Sequence, residues 1–391
     1  MKHIFLDYNS TTPTDPLVIN EMLPYFNEKY GNPASRNHGF GIEAKAAVAD
    51  ARKQIAQLIN CNPKEIYFTS GATEAINLAL KGLFESGFSD IKKYVTIPIE
   101  HKAVLDSLKY LKNKGLDIQV TGVNRDGLVN INSIAEILSH NANSLVIIMH
   151  ANNEIGVVQP IPDISKIAKE SNSYLFVDGA QSVGKIPIDV KELGIDMMAI
   201  SAHKFYGPKG VGALYINRES KLQIASQIDG GGHESGLRSG TLNVPSIVGF
   251  GKAAELAKSR LYKDTLKITK LRDMLLSELQ ANIDGITING SMDARIPNNL
   301  NISFSGLDGD SLLVNIDDIA ISNGAACSSS KNEPSYVLKA LGIDKKLAKA
   351  SIRFGIGRNT TEEEIKYTVN KFKDVVKNLR SIEELKAELT M

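Results

Sequence analysis

The sequence predicts an α/β protein with a mostly parallel sheet in a large domain and a smaller α+β domain after it. Three observations carry this. Helix-like and strand-like segments alternate through the first 260 residues. The strand candidates are compact apolar runs, as expected where both faces of a sheet are covered. After about residue 258 a long helical segment opens a stretch of different texture.

The elements follow in order. GFGIEAKAAVADARKQIAQLIN, residues 39–60, reads as a helix, with Val48, Ala51, Ile55 and Leu58 at steps of three or four. EIYFTS reads as a strand and GATEAINLALKGLFESG as a helix; KYVTIPI is a strand and HKAVLDSLKYLKNKG a helix. SLVIIMH, YLFVDGA, DMMAISA and GVGALYI are four more strands. KAAELAKSRLYKDTLKITKLRDMLLSELQANI is a helix able to link two domains, followed by strands in NNLNISFSG and DIAIS. TEEEIKYTVNKFKDVVKNL is a helix that Thr360 or Thr361 can cap, with glutamates in its first turn. These readings divide the chain into a large domain over 14–258 and a small one made of 1–13 and 259–391.

Composition narrows the function. The 391 residues allow two domains and a large core, with 42% hydrophobic and 23% charged residues. A net charge of +1 gives no general attraction to nucleic acid or an anionic membrane. There is no run of ~20 apolar residues and no secretory leader in MKHIFLDYNSTTPTDP, so a cytoplasmic protein is expected. Two cysteines, Cys61 and Cys327, make no disulfide framework. Cys61 reads as a helix-end residue, whereas Cys327 lies in SNGAACSSSKNEPS, a run of small and polar residues that reads as a surface loop.

Polar residues gather at the predicted C-terminal strand ends, where open α/β sheets bind ligands. Ser70-Gly71-Ala72-Thr73 opens a helix, so its backbone N–H groups and the Thr73 hydroxyl can meet an anion; a simple helix cap is the plainer use of such a turn. Asp178 ends an apolar strand, where a carboxylate needs a cation such as a protonated pyridine, or serves as a turn aspartate. Lys204 follows a strand in SAHKFYGPKGVGALYI; in an enclosed site its amine would become a good nucleophile toward an aldehyde, though most turn lysines are surface charges. Ser201 and His203 stand within reach of the same anion.

Asp178, Gln181 three residues on, and SxHK at 201–204 resemble the pyridoxal-phosphate (PLP) site of fold-type I enzymes of the class V aminotransferase family. YGNPASRNH at 30–38, FTSGATEAINLAL at 68–80, IEHKAVL at 99–105, HANNEIGVVQPI at 150–161 and VDGAQSVGKIPID at 177–189 extend the likeness. So do RSGTLNVPSIVGFG at 238–251, GAACSSS at 324–330, EPSYVLKALG at 333–342 and IRFGIGRNTTEEEI at 352–365. Together they resemble cysteine desulfurases of the nitrogen-fixation and iron–sulfur housekeeping type.

The resemblance implies roles. Lys204 would be the Schiff-base lysine, Asp178 the partner of the pyridine nitrogen, and Gln181 that of the ring hydroxyl. His101 would stack on the ring and move protons. Ala72, Thr73, Ser201 and His203 would hold the phosphate. Thr241 would reach the phosphate of a neighbouring subunit, which implies a homodimer. Asn153 and Arg353 would fix the carboxylate of L-cysteine, and Cys327 would take its sulfur as a persulfide, releasing L-alanine. The sulfur would pass to an acceptor protein such as an iron–sulfur scaffold. No metal is called for. NGAACSSSK differs from the commoner SGSACTSGS, and ELKAELTM lacks the acidic-aromatic-histidine tail of some housekeeping members. The rival readings are a selenocysteine lyase, a related transaminase and a catalytically silent scaffold subunit; the lysine, aspartate, histidine and loop cysteine argue against the last two.

Overall fold

Runs of consecutive apolar residues become the central strands of the computed structural model, which describes residues 3–88, 91–323 and 333–389. In chain order the strands are β1 Ile4–Phe5, β2 Ile66–Thr69, β3 Lys93–Thr96, β4 Asp117–Val120, β5 Ser144–Met149 and β6 Tyr174–Asp178. Then come β7 Met197–Ser201, β8 Gly212–Ile216, β9 Ile286–Ile288, β10 Asn299–Phe304, β11 Ile319–Ala320 and β12 Ser351–Gly355. Seven form one sheet in the order β2-β8-β7-β6-β5-β3-β4, with β8 antiparallel to both neighbours and the other pairs parallel. Register brings Met149, Asp178 and Ala199 side by side, so β5, β6 and β7 end nearly flush.

Strand side chains alternate between two cores, one on each face. Val146 and Ile148 of β5 point toward helices Gly39–Ile59, Ile131–His140 and Ile161–Glu170. Leu145 and Ile147 point toward helices Ala72–Glu85 and Lys102–Asn113. Burying each such side chain contributes about 1.5–3 kcal/mol. This is why the sheet's middle strands carry almost no polar residue until they reach their ends.

A third core lies outside this sheet. β10 sits between β12 and β9 in an antiparallel sheet, and β1 pairs in parallel with β11. Phe304 and Phe354 pack on Phe372 of helix Glu362–Leu389, at ring-centroid distances of 5.5 and 5.1 Å. Ile4 and Leu6 join this core, which docks the amino-terminal segment against β11 and β12. Helix Val244–Asn282 runs through both regions: Val244 to Ala257 pack in the first core, Ile268 to Leu279 in the third.

Local signals act as read at several ends. Thr361 Oγ1 accepts from the Glu364 N–H at 3.2 Å, while the Glu364 carboxylate accepts from the Thr361 N–H at 3.0 Å, a reciprocal capping box. Cys61 follows Asn60, which closes helix Gly39–Ile59 in the left-handed conformation with φ 55°. Edge strand β4 has no counterpart in the sequence reading: Asp117 and Val120 are exposed, so its composition shows no apolar run.

Candidate active site

The C-terminal ends of β2, β3, β5, β6 and β7 surround a cavity of about 500 Å³. Ala72, Thr73, His101, Asn153, Asp178, Gln181, Ser201, His203, Lys204 and Arg353 all line it. Thr241 is exposed and is not among the lining residues. Cys327 lies outside the described residues.

One end of the cavity is built for an anion. Helix Ala72–Glu85 starts from Gly71 with no side-chain cap, so its first N–H groups are left for a ligand. The turn approaches β8 closely because Gly212 has no side chain: a Cβ there would stand 2.4 Å from the Ile200 carbonyl oxygen and 2.7 Å from the Gly71 backbone. The Ser70 N–H is held by Glu74, which Arg238 Nε grips at 2.9 Å. Ser201 is buried at the end of β7. His203 Nδ1 lies 3.0 Å from Thr11 Oγ1. Burial, then the cations Lys204, Lys209 and Lys185, pull its pKa down to about 4, so it meets an anion as a neutral imidazole.

The middle holds the groups for a cationic ring. Asp178 is 5% exposed, and its Oδ1 accepts from the Ala180 N–H at 2.9 Å, so it makes a turn bond and faces the cavity as well. Burial raises its carboxyl above the usual range, with His101 and Lys204 pulling it back. A bound cation would compensate that burial. Glu100 lies nearby with Oε1 accepting from the Met149 N–H at 2.6 Å. Full burial drives it well above the carboxylate range, the Met149 N–H pulls it back, and the neighbouring Asp178 adds to the rise. His101 caps helix Lys102–Asn113: its Nδ1 accepts from the Ala103 N–H at 3.1 Å, which puts the ring proton of the neutral form on Nε2. Lys204 Nζ donates to the Asn9 and Ser10 carbonyls at 2.8 and 2.6 Å.

The far end can take a carboxylate. Arg353, in the middle of β12, donates from Nη1 to the Asn153 carbonyl at 2.9 Å and from Nη2 to Asp7 at 2.6 Å. Arg353 Nε is a buried donor with no protein partner, which a ligand carboxylate would supply; Asn153 Oδ1 is also unpartnered, and that amide turned the other way would present its NH₂ to the same ligand. The ion pair with Asp7 and the reach into the cavity therefore coexist.

Family-model comparison matches residues 4–368 to "Aminotransferase class-V". Over 382 residues, 98% of this chain and 94% of its relative, the sequence is 48% identical to cysteine desulfurase IscS of Anaeromyxobacter dehalogenans (strain 2CP-C). The chain belongs to the cysteine desulfurases of the class V aminotransferase family. Another cysteine desulfurase IscS, from Rickettsia akari (strain Hartford), is 46% identical over 98% of this chain and 93% of its own. A solved NifS-like protein superposes with a TM-score of 0.89 and 38% identity over 96% of this chain and all of that one. SspA in complex with cysteine superposes with a TM-score of 0.80 and 33% identity over 92% of this chain and all of that one.

Cysteine desulfurases of this family depend on PLP, and the cavity fits that cofactor: an uncapped helix start suits a phosphate, a buried carboxylate suits a pyridinium, and Lys204 places an amine in the same cavity. No helix among the described residues is long and apolar enough to cross a membrane. Asp7, Asn9 and Thr11 also belong to the site and were not singled out from sequence. The polar run DYNST directly after the buried Ile4 and Leu6 is the signal that could have found them.

Proposed function

We propose that this PLP-dependent cysteine desulfurase binds the cofactor phosphate through the Ala72–Thr73 turn, Ser201 and His203, with Thr241 of a second copy completing the contact. Asp178 faces the pyridine nitrogen, Gln181 the ring hydroxyl and His101 the ring. Bound PLP supplies an electron sink for the substrate α-carbon. Arg353 and Asn153 hold the carboxylate of L-cysteine, so the α-proton faces Lys204, which removes it; Nε2 of His101 is the second proton carrier. The Cys327 thiolate then attacks the substrate sulfur. The new S–S bond forms as the substrate Cβ–S bond breaks, with its electron pair left on the carbon skeleton; the Cys327 thiol proton has already gone to a base in the site. Protons returned to the carbon skeleton give L-alanine, and Cys327 is left as a persulfide. The chain acts in the cytoplasm as a homodimer and hands the sulfur to an acceptor such as an iron–sulfur scaffold. Exposed apolar side chains near the amino terminus, including Phe26 at 62% and Tyr30 at 66% exposure, support a second copy covering that face.

The observation that carries this reading is the gathering of Lys204, Asp178 and the unpartnered Arg353 Nε donor around one cavity. The test is stoichiometric: the holoenzyme given L-cysteine without reductant forms equal amounts of alanine and protein-bound sulfane sulfur in its first turnover. Alanine without bound sulfur would argue for a lyase instead.

A further inference from the structure

The segment VDGAQSVGKIPID carries a lysine that the proposed chemistry leaves without a role. Lys185 stands one turn after Gln181, and Gly184 makes the bend between them. Its φ is +76°, and a Cβ there would meet the Phe205 side chain at 2.8 Å, so the position suits glycine. Lys185 Nζ donates to Gln181 Oε1 at 2.7 Å. Gln181 Nε2 donates to the Asn9 carbonyl at 2.8 Å, and that same oxygen accepts from Lys204 Nζ at 2.8 Å. Asn9 Nδ2 reaches Gln181 Oε1 at 3.4 Å.

An amide can be turned either way unless its neighbours decide. Two donors at one end, Lys185 and Asn9, require the oxygen there. The NH₂ group then lies at the other end, with one hydrogen used by the Asn9 carbonyl and one left for the cavity that Gln181 lines. We propose that Lys185 is a positioning residue that locks the Gln181 amide so that it offers an N–H to the ring oxygen of the bound cofactor. This rests on the role proposed above for Gln181.

The charged groups bearing on the Lys185 amine are Lys204 and Arg353, and burial together with these two cations holds it well below the ordinary lysine range.

The test reads the cofactor's own titration. A donor to the ring oxygen stabilises that oxygen's negative charge once the neighbouring proton has left. Losing it raises the pH at which the visible absorbance of the lysine-bound cofactor changes. In holoenzyme of Lys185→Met and of the smaller Lys185→Ala, the midpoint rises by about half a pH unit to one unit, as for one lost hydrogen bond. Lys185→Arg keeps a donor and stays within about 0.3 unit of wild type. In a Gln181→Ala background, Lys185→Met adds nothing. An unmoved midpoint in both deletion variants, or an equal shift with and without Gln181, overturns the proposal. A wild-type protein with no visible absorbance would instead overturn the cofactor reading beneath it.

Discussion

Arg353 and Asp7, 346 residues apart in the chain, are joined at 2.6 Å between Nη2 and Oδ1. The pair ties the amino-terminal segment to β12 and leaves Arg353 Nε facing no protein partner. Under the role proposed for Arg353, Asp7 holds the guanidinium in place for the substrate carboxylate. Arg353→Lys, which cannot form the planar fork, raises the KM for L-cysteine about tenfold or more with a smaller change in kcat. Asp7→Asn raises KM as well, because it frees the guanidinium to turn. Steady-state kinetics on both variants check this; a fall in kcat at unchanged KM contradicts it.

Lys204→Ala abolishes the visible absorbance of lysine-bound cofactor and all turnover. Borohydride reduction of wild type, followed by peptide mapping, places the label on Lys204. A label on Lys185 or Lys209 would overturn the assignment, and both are near enough to make the mapping a real test.

The proposed reach of Thr241 into the site of a second copy is tested with mixed chains. A hybrid dimer of a Lys204→Ala chain and a Thr241→Ala chain contains one site with both residues intact and one lacking both. It therefore retains about half the wild-type cofactor and activity, more than either parent homodimer supports per intact lysine. A hybrid no better than the Thr241→Ala homodimer would show that Thr241 serves its own chain.

Glu154 gives a pH signature. Its carboxyl is buried beside Asn153, accepts from the Ser335 hydroxyl, and has its pKa pushed up to about 7 by burial. The folded protein thus binds a proton more tightly than the unfolded chain. The contribution is fully present below the unfolded pKa of about 4.3 and is lost as pH rises through 7. Glu154→Gln removes this loss while keeping an acceptor for Ser335. Relative to wild type, it gains up to about 3 kcal/mol between pH 4 and pH 8 in denaturant unfolding of the holoenzyme. A stability difference independent of pH would contradict the shift.

Much of this architecture was legible because fully buried strands announce themselves. β5 to β8 are unbroken apolar runs, and the polar residue that ends β6, Asp178, marks the ligand end of the sheet. β4 was hidden because an exposed edge strand needs no apolar run. The individual residues Lys204, Asp178 and Thr73 were ambiguous in isolation, since turn lysines, turn aspartates and helix caps look the same; only the combined motifs pointed to one family. Asp7, Asn9 and Lys185 were missed for a different reason. Their importance lies in contacts with residues hundreds of positions away, or in the orientation of an amide, and neither leaves a local pattern.

Cys61 offers a contrast with Cys327. Burial, with a lesser push from Glu65, raises the Cys61 thiol to about 12, so it carries almost no thiolate at neutral pH. The most direct measurement of the central claim is therefore L-alanine release and protein-bound sulfane sulfur in wild type, Cys327→Ser and Cys61→Ser, all with PLP bound and under the same reductant. The account predicts that Cys61→Ser matches wild type, while Cys327→Ser retains cofactor but forms almost no alanine and no persulfide, because a serine hydroxyl supplies no comparable nucleophile. Near-wild-type alanine from Cys327→Ser, or loss of activity in Cys61→Ser alone, would contradict it.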